Sequence, residues 1–246
     1  MQFNGRAGYL LLILRDFPYA VAILEYIASE TTEAEIAKSK GGLNMASAYK
    51  KMGKGLAVMH KAKGRDYGEV VDLKKLKGRH KTFREEVMSR LTPERQKNLV
   101  ASGLIEKNDI RLIARAITIV EDDIRRGIKP SLIHDDPGLF NTFGVKSIMF
   151  FDPDPRISHP LKDVAIALVW TSVEDDPEKM RRAILSGYGL RNKNDARVLN
   201  ACLFLKILEK WEWWLYRGKY QNVSLGWIKK TKPLYREAKD KLNLSI

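Results

Sequence analysis

The chain has 246 residues, 44% hydrophobic and 30% charged, with 44 Lys/Arg against 30 Asp/Glu and a formal net charge of +14. That length holds one large or two small domains, and the apolar content excludes a disordered chain. The single cysteine, Cys202, excludes an intrachain disulfide, no Cys/His zinc spacing occurs, and the positive excess calls for an acidic partner.

The first apolar run, Gly8 to Leu14, is too short to span a bilayer and reads as a strand or a short helix. Arg15 and Asp16 follow at once without a small-residue cleavage site, so a cytoplasmic location with no membrane contact is expected. Phe17 to Ser29 carries apolar residues at Phe17, Ala20, Val21, Leu24, Ile27 and Ala28, one face of a predicted helix. Thr32 to Glu35 has the form of a capping box and predicts a short second helix to about Ser39. Gly41-Gly42 predicts a tight turn, and Asn44 caps a third helix that Gly53 and Gly55 stop. Ala48 and Met52 face inward in this reading, and a small, polar, cationic face looks outward. Leu56 to His60 and Glu69 to Leu73 then read as two strands joined by a basic, Gly-containing loop.

Three helices followed by a basic hairpin resemble the winged helix-turn-helix family of DNA-binding domains, over about residues 17–79. The resemblance implies that Ser47, Tyr49, Lys50 and Lys51 face DNA and that Lys63 and Arg65 reach its backbone or minor groove. Lys54, Lys74 and Lys75 join them as expected phosphate contacts. Ala48 departs from the family, where a larger apolar residue is usual. Charge points the same way: residues 38–84 hold 14 Lys/Arg against 3 Asp/Glu, a net of +11.

Helices dominate the remainder. Thr82 caps one through Leu91, Thr92-Pro93 opens another that ends at Gly103, and Asn108 or Asp109 starts a third that ends at Gly127. Residues 128–160 break the pattern with Pro, Gly and Asp, which favour turns. They also gather His134, Asp135, Asp136, Asp152, Asp154 and His159, ligand types suited to Mg²⁺ or Mn²⁺. Turn chemistry explains the same residues. Leu161 to Val173 is apolar enough to be buried. Asp176-Pro177 starts a helix, and Asn194 or Asp195 opens a long one carrying Trp211, Trp213, Trp214 and Tyr216. A basic helix runs from about Lys232 to Leu242.

The expected fold class is therefore mainly α with a small β-hairpin wing. It divides into a winged-helix nucleic-acid-binding domain at 1–80 and a mainly helical domain for oligomerisation or partner contact at 81–246. The expected function is double-stranded DNA binding by a non-enzymatic transcriptional regulator, a homodimer or larger assembly that needs no cofactor. The alternatives are a DNA- or RNA-binding subunit of a replication, segregation or defence assembly of a mobile element, and a metal-dependent nuclease built on the 134–159 carboxylates. High charge with few Gln resembles thermophile composition and fits an archaeal or viral source. No P-loop, GxGxxG or GxSxG motif is present.

Overall fold

The computed structural model describes residues 7–14, 21–28, 45–143, 149–150, 152–190, 192–216 and 221–244. At the N-terminal end, β1 (Ala7–Leu14) and β2 (Val21–Ala28) form an antiparallel hairpin with Leu11 opposite Leu24 and Tyr9 opposite Tyr26. The helix expected from Phe17 is thus a strand from Val21 onward. A short apolar run does not separate helix from strand by its spacing, and here cross-strand pairing satisfies the backbone. The expected helix at 32–39, the Gly41-Gly42 turn and the Asn44 cap lie outside the described residues.

Helix α1 (Met45–Met59) follows and runs straight through Gly53 and Gly55, where a helix end and then a strand were expected. The reason is a close helix crossing. A Cβ on Gly53 would run into the carbonyl of Ile184, and a Cβ on Gly187 into the carbonyl of Lys50. Ile184 and Gly187 belong to α6 (Pro177–Tyr188), the helix against which α1 packs. The glycines are spacers between two backbones, not helix stops. Ala48 and Met52 are buried as expected.

The next strands, β3 (Tyr67–Asp72) and β4 (Lys77–His80), do form a hairpin. It is not a free wing. β3 pairs on its other side with β8 (Arg156–Ser158), which pairs with β5 (Ser131–Ile133), giving a four-stranded sheet in the order β4-β3-β8-β5. This sheet and the β1-β2 hairpin overturn the winged-helix expectation. The basic run 74–84 supplies β4 and the start of a helix.

Between β4 and β5 come α2 (Phe83–Arg90), α3 (Pro93–Ala101) and α4 (Ile110–Arg125). Their starts are local. The Thr82 hydroxyl accepts from Glu85 N at 3.1 Å and Glu85 Oε2 accepts from Thr82 N at 3.3 Å, while Thr92 caps Arg95 N beside Pro93. Helix α4 buries Leu112, Ile113, Ala116, Ile117 and Val120 as one stripe. A small hairpin of β6 (Thr142–Phe143) and β7 (Met149–Phe150) follows β5.

The core forms around α5 (Leu161–Thr171), every residue of which is buried. A helix hydrophobic all round must be wrapped by others. Here α6, α7 (Lys193–Tyr216) and α1 contact it, and α8 (Gln221–Leu244) packs on α7. Trp211 and Trp214 are buried in this layer, and Trp211 Nε1 donates to Thr231 Oγ1 at 2.7 Å. Among the described residues no helix is long and apolar enough to cross a membrane.

Candidate active site

The segment that leaves the sheet at β5 contains the interruption noted in the sequence. His134, Asp135 and Asp136 lead into a 3₁₀ turn at Leu139–Asn141. Three anchors fix this loop. Asp163, fully buried on α5, accepts the backbone N–H groups of His134 and Asp135 at 2.7 Å each, one on each carboxylate oxygen. Its Oδ2 also meets His60 Nε2 at 3.1 Å. His134 Nδ1 accepts from Asp136 N at 3.3 Å, and Asn141 Nδ2 donates to the Asp136 carbonyl at 2.9 Å. Asp135 adopts φ +67°, a left-handed conformation tolerated where the surroundings over-determine it.

A continuous ionic network supplies that determination. Asp135 Oδ1 accepts from Lys206 Nζ at 2.7 Å, and its Oδ2 lies 2.6 Å from Arg90 and 3.1 Å from Arg156. Lys206 and Arg90 both continue to Glu209, at 2.8 and 2.9 Å. Lys162 on α5 joins Glu209 to Glu86, which it meets at 2.6 Å, and Ser158 donates to the second oxygen of Glu86 at 2.6 Å. Burial by itself raises the Asp135 carboxyl, but Lys206, Arg90, Lys162 and Arg156 outweigh it and hold the group well below the usual carboxylate range. Glu209 is lowered in the same way, against burial, by Lys162, Lys206 and Arg90. Burial disfavours the charged Lys162, yet Glu209 and Glu86 raise its pKa. The interior therefore stays ionised because opposite charges sit at hydrogen-bond distance.

Beside the network lies a cleft of about 730 Å³, lined by Asp136, Lys210, Trp213, Arg95 and Glu212 and by Arg79 and His80 from β4. The size is that of a small-molecule site. Asp136 is the half-buried carboxylate at the tip of the anchored loop. Its Oδ1 accepts from Trp170 Nε1 and from Lys210 Nζ, both at 2.9 Å. Asp152 is exposed, with φ +51°, on the segment after β7.

The expected ligand cluster is thus divided. His134, Asp135, Asp136 and Asp154 meet at this site, with Asp154 N donating to the His134 carbonyl at 3.0 Å. His159 instead pairs with Asp123 of α4 at 3.2 Å. Asp135 is saturated by cations and is not a metal ligand. Among the described residues no group of three His, Cys, Asp or Glu side chains is arranged to hold a metal alone.

The nine residues expected to bind nucleic acid lie elsewhere, and none lines the cleft. Tyr49 is buried, and its hydroxyl donates to Glu174 at 2.6 Å; burial and that carboxylate push its pKa up. An outward role for it is excluded, because its helix turns that face toward α6. Ser47, Lys50 and Lys54 are exposed on α1, and Lys51 is half-buried there. Lys63 donates to Ser131 Oγ at 2.9 Å, Arg65 is held by backbone pairing with Leu76 and Gly78, Lys74 is exposed, and Lys75 pairs with Asp72 at 3.6 Å.

Sequence reasoning missed Asn141, Asp163, Trp170, Lys206, Glu209 and Lys210. One signal was present: His134, Asp136 and Asn141 have the H-x-D-x-x-x-x-N spacing of a kinase catalytic loop. The others come from helices remote in sequence, and nothing in their local pattern marks them.

No protein-family model matches the chain, and no curated protein sequence matches it. Solved structures do. The fold is similar to that of a Plasmodium vivax ethanolamine kinase, with a TM-score of 0.58 at 15% identity over 96% of this chain and 70% of that one. It is similar to the aminoglycoside phosphotransferase APH(4)-Ia, with a TM-score of 0.59 at 12% identity over 95% of this chain and 78% of that one. A third structure, the amicoumacin kinase hAmiN in complex with AMP-PNP, Ca²⁺ and Ami, gives 0.52 at 14% identity over 96% of this chain and 72% of that one. The kinase-like fold replaces the winged helix. With it go the readings as a DNA-binding transcriptional regulator, as a non-enzyme and as a partner of double-stranded DNA or RNA.

Proposed function

We propose that this chain is a phosphotransferase that moves the terminal phosphoryl group of a nucleoside triphosphate to a hydroxyl of a small acceptor. The observation that carries the reading is Asp136. It lies on a cleft wall, in a loop with the kinase spacing, and that loop is clamped through its backbone by the buried Asp163. Phosphoryl transfer asks little covalent chemistry of a protein and much positioning. The loop's anchors supply that positioning. Oδ1 of Asp136 is occupied by Trp170 and Lys210, so Oδ2 is the oxygen that accepts the hydroxyl proton.

Phosphoryl transfer of this kind uses Mg²⁺, and the donor set fits that ion. The Asn141 amide nitrogen is engaged with the Asp136 carbonyl, which leaves its carbonyl oxygen as a ligand, and Asp152 offers an exposed carboxylate. Two oxygen donors suit Mg²⁺, which keeps waters and takes its other ligands from phosphates. When bound, the ion neutralises phosphate charge; Asn141 and Asp152 would hold it.

The test is transfer from γ-labelled ATP, with Mg²⁺, to ethanolamine, choline and a panel of aminoglycosides, with release of ADP followed in parallel. Labelled product, lost on Asp136→Asn by about 10²- to 10⁴-fold with an unchanged melting temperature, supports the reading. Absence of transfer and of ADP release with every acceptor overturns it.

A further inference from the structure

Lys210 and Lys206 lie one turn apart on α7 and both point toward the catalytic loop, yet their surroundings differ. Lys206 is buried and meets two carboxylates, Asp135 at 2.7 Å and Glu209 at 2.8 Å. Its charge is spent on the network. Lys210 has one carboxylate partner among the described residues, Asp136 at 2.9 Å, across 74 residues of chain. It opens on the cleft, and its ammonium is placed over the rings of Trp170 and Trp213, 5.3 and 5.6 Å from their centroids. The rings and the ion pair hold a cation where substrate must arrive next to Asp136.

An ammonium has three donors in a rotatable head. One goes to Asp136 Oδ1, which already has a neutral donor in Trp170 Nε1. Orienting Asp136 alone therefore does not require a second donor, still less a charged one. A charged donor is required where negative charge gathers. In phosphoryl transfer that is on the equatorial oxygens of the moving group, in line with the attacking hydroxyl.

Resting on the phosphotransferase reading above, we propose that Lys210 is a second catalytic residue. It fixes Asp136 through one N–H and donates through another to an oxygen of the phosphoryl group in transit. The acceptor oxygen forms its bond to phosphorus as the bond from phosphorus to the bridging oxygen breaks. That oxygen leaves with its electron pair on the nucleoside diphosphate, and the acceptor proton passes to Asp136 Oδ2. Lys210 keeps all its protons throughout.

The test uses the full chain, γ-labelled ATP with Mg²⁺, and the acceptor of the panel that the wild type phosphorylates fastest. Rates are compared for wild type, Lys210→Met, Lys210→Arg, Lys210→Ala, Asp136→Asn and Lys50→Met, the last exposed on α1. The expected result for Lys210→Met is a fall in kcat of about 10²- to 10³-fold, with the acceptor KM little changed. Lys210→Arg should recover part of the rate, and added ethylammonium should restore Lys210→Ala saturably. A purely structural role would lower the melting temperature and answer to neither rescue. Wild-type rates in Lys210→Met, with Asp136→Asn inactive, overturn this proposal and leave the phosphotransferase reading standing. So does a loss in Lys210→Met that neither arginine nor ethylammonium repairs. A wild type that transfers to no acceptor removes both.

Discussion

Two regions of this molecule concentrate charge, and they use it in opposite ways. Residues 38–84 hold 14 Lys/Arg against 3 Asp/Glu, and Lys50, Lys54, Lys61 and Lys74 stand in solvent. The interior between α2, α5 and α7 holds Glu86, Asp135 and Glu209 against Arg90, Arg156, Lys162 and Lys206, near balance and almost dry. The first region dominates the sequence statistics because excess is easy to count. The second has no excess to count, since each charge is cancelled by a partner far along the chain. An isolated buried charge is prohibitively costly, so the interior set persists only as a complete network. One-sided charge marked a surface, and balanced charge marked the site.

The comparison can be broken most sharply at Lys162. Lys162→Met leaves Glu86 buried without its cation, and a loss of about 3–5 kcal/mol is expected by chemical denaturation. A loss no larger than that of an ordinary surface change would show the network to be dispensable. Asp163→Ala comes next. It strands two buried backbone N–H groups at about 1–3 kcal/mol each, and phosphotransfer should fall further than stability because the loop carrying Asp136 is released. Equal falls would mean that Asp163 only packs the core.

Acid probes two buried sites, the His159–Asp123 pair and the ionic network, in different pH ranges. Burial holds the His159 pKa below its ordinary value, so the unfolded chain takes up that proton first, and stability is present above about pH 6.5 and declines as pH falls. Asp135 and Glu209 are depressed in the folded state, so their contribution is present above about pH 4 and is lost as pH drops further toward their folded values. A melting temperature flat from neutral pH down to that range would contradict both assignments. At the small end, Thr82→Ala removes the capping box of α2 and should cost about 1 kcal/mol. The double change Lys50→Ala with Lys54→Ala, on the exposed face of α1, should leave stability and phosphotransfer unchanged. A loss of activity there would give the basic surface a part in catalysis.

Much of the helical C-terminal portion was legible in the chain. Thr82, Thr92-Pro93 and Asp176-Pro177 announce helix starts because a cap is a contact between residues three apart. The uninterrupted apolar run of α5 announces burial, since only a surrounded helix has no polar stripe. The Asp- and Pro-rich break at 128–160 stood out as an interruption of the helical pattern, and four of its six named residues meet at the candidate site. What misled was the N-terminal third. Val21 to Ala28 is a strand because β1 pairs with it, and Gly53 sits inside a helix because α6 comes close enough to forbid a side chain. The α6 partner is out of reach of a local pattern; β1 is adjacent in the chain, and there the apolar spacing of 21–28 fits a strand as well as a helix.

The sequence by itself determined where α2, α3 and α6 begin, which helix is central and where regular structure gives way to a loop of carboxylates. Those properties depend on neighbours within a turn or two. It did not place the start of α8, which begins at Gln221 where a helix from about Lys232 was expected. Only the tertiary structure decided that the β3-β4 hairpin is half of a sheet, that Asp163 holds the loop by its backbone, and that Trp170 and Lys210 aim Asp136 at the cleft. Those contacts join residues from about 30 to more than 70 positions apart. Their energies exist only once the chain has closed those loops, so no short-range feature of the sequence records them.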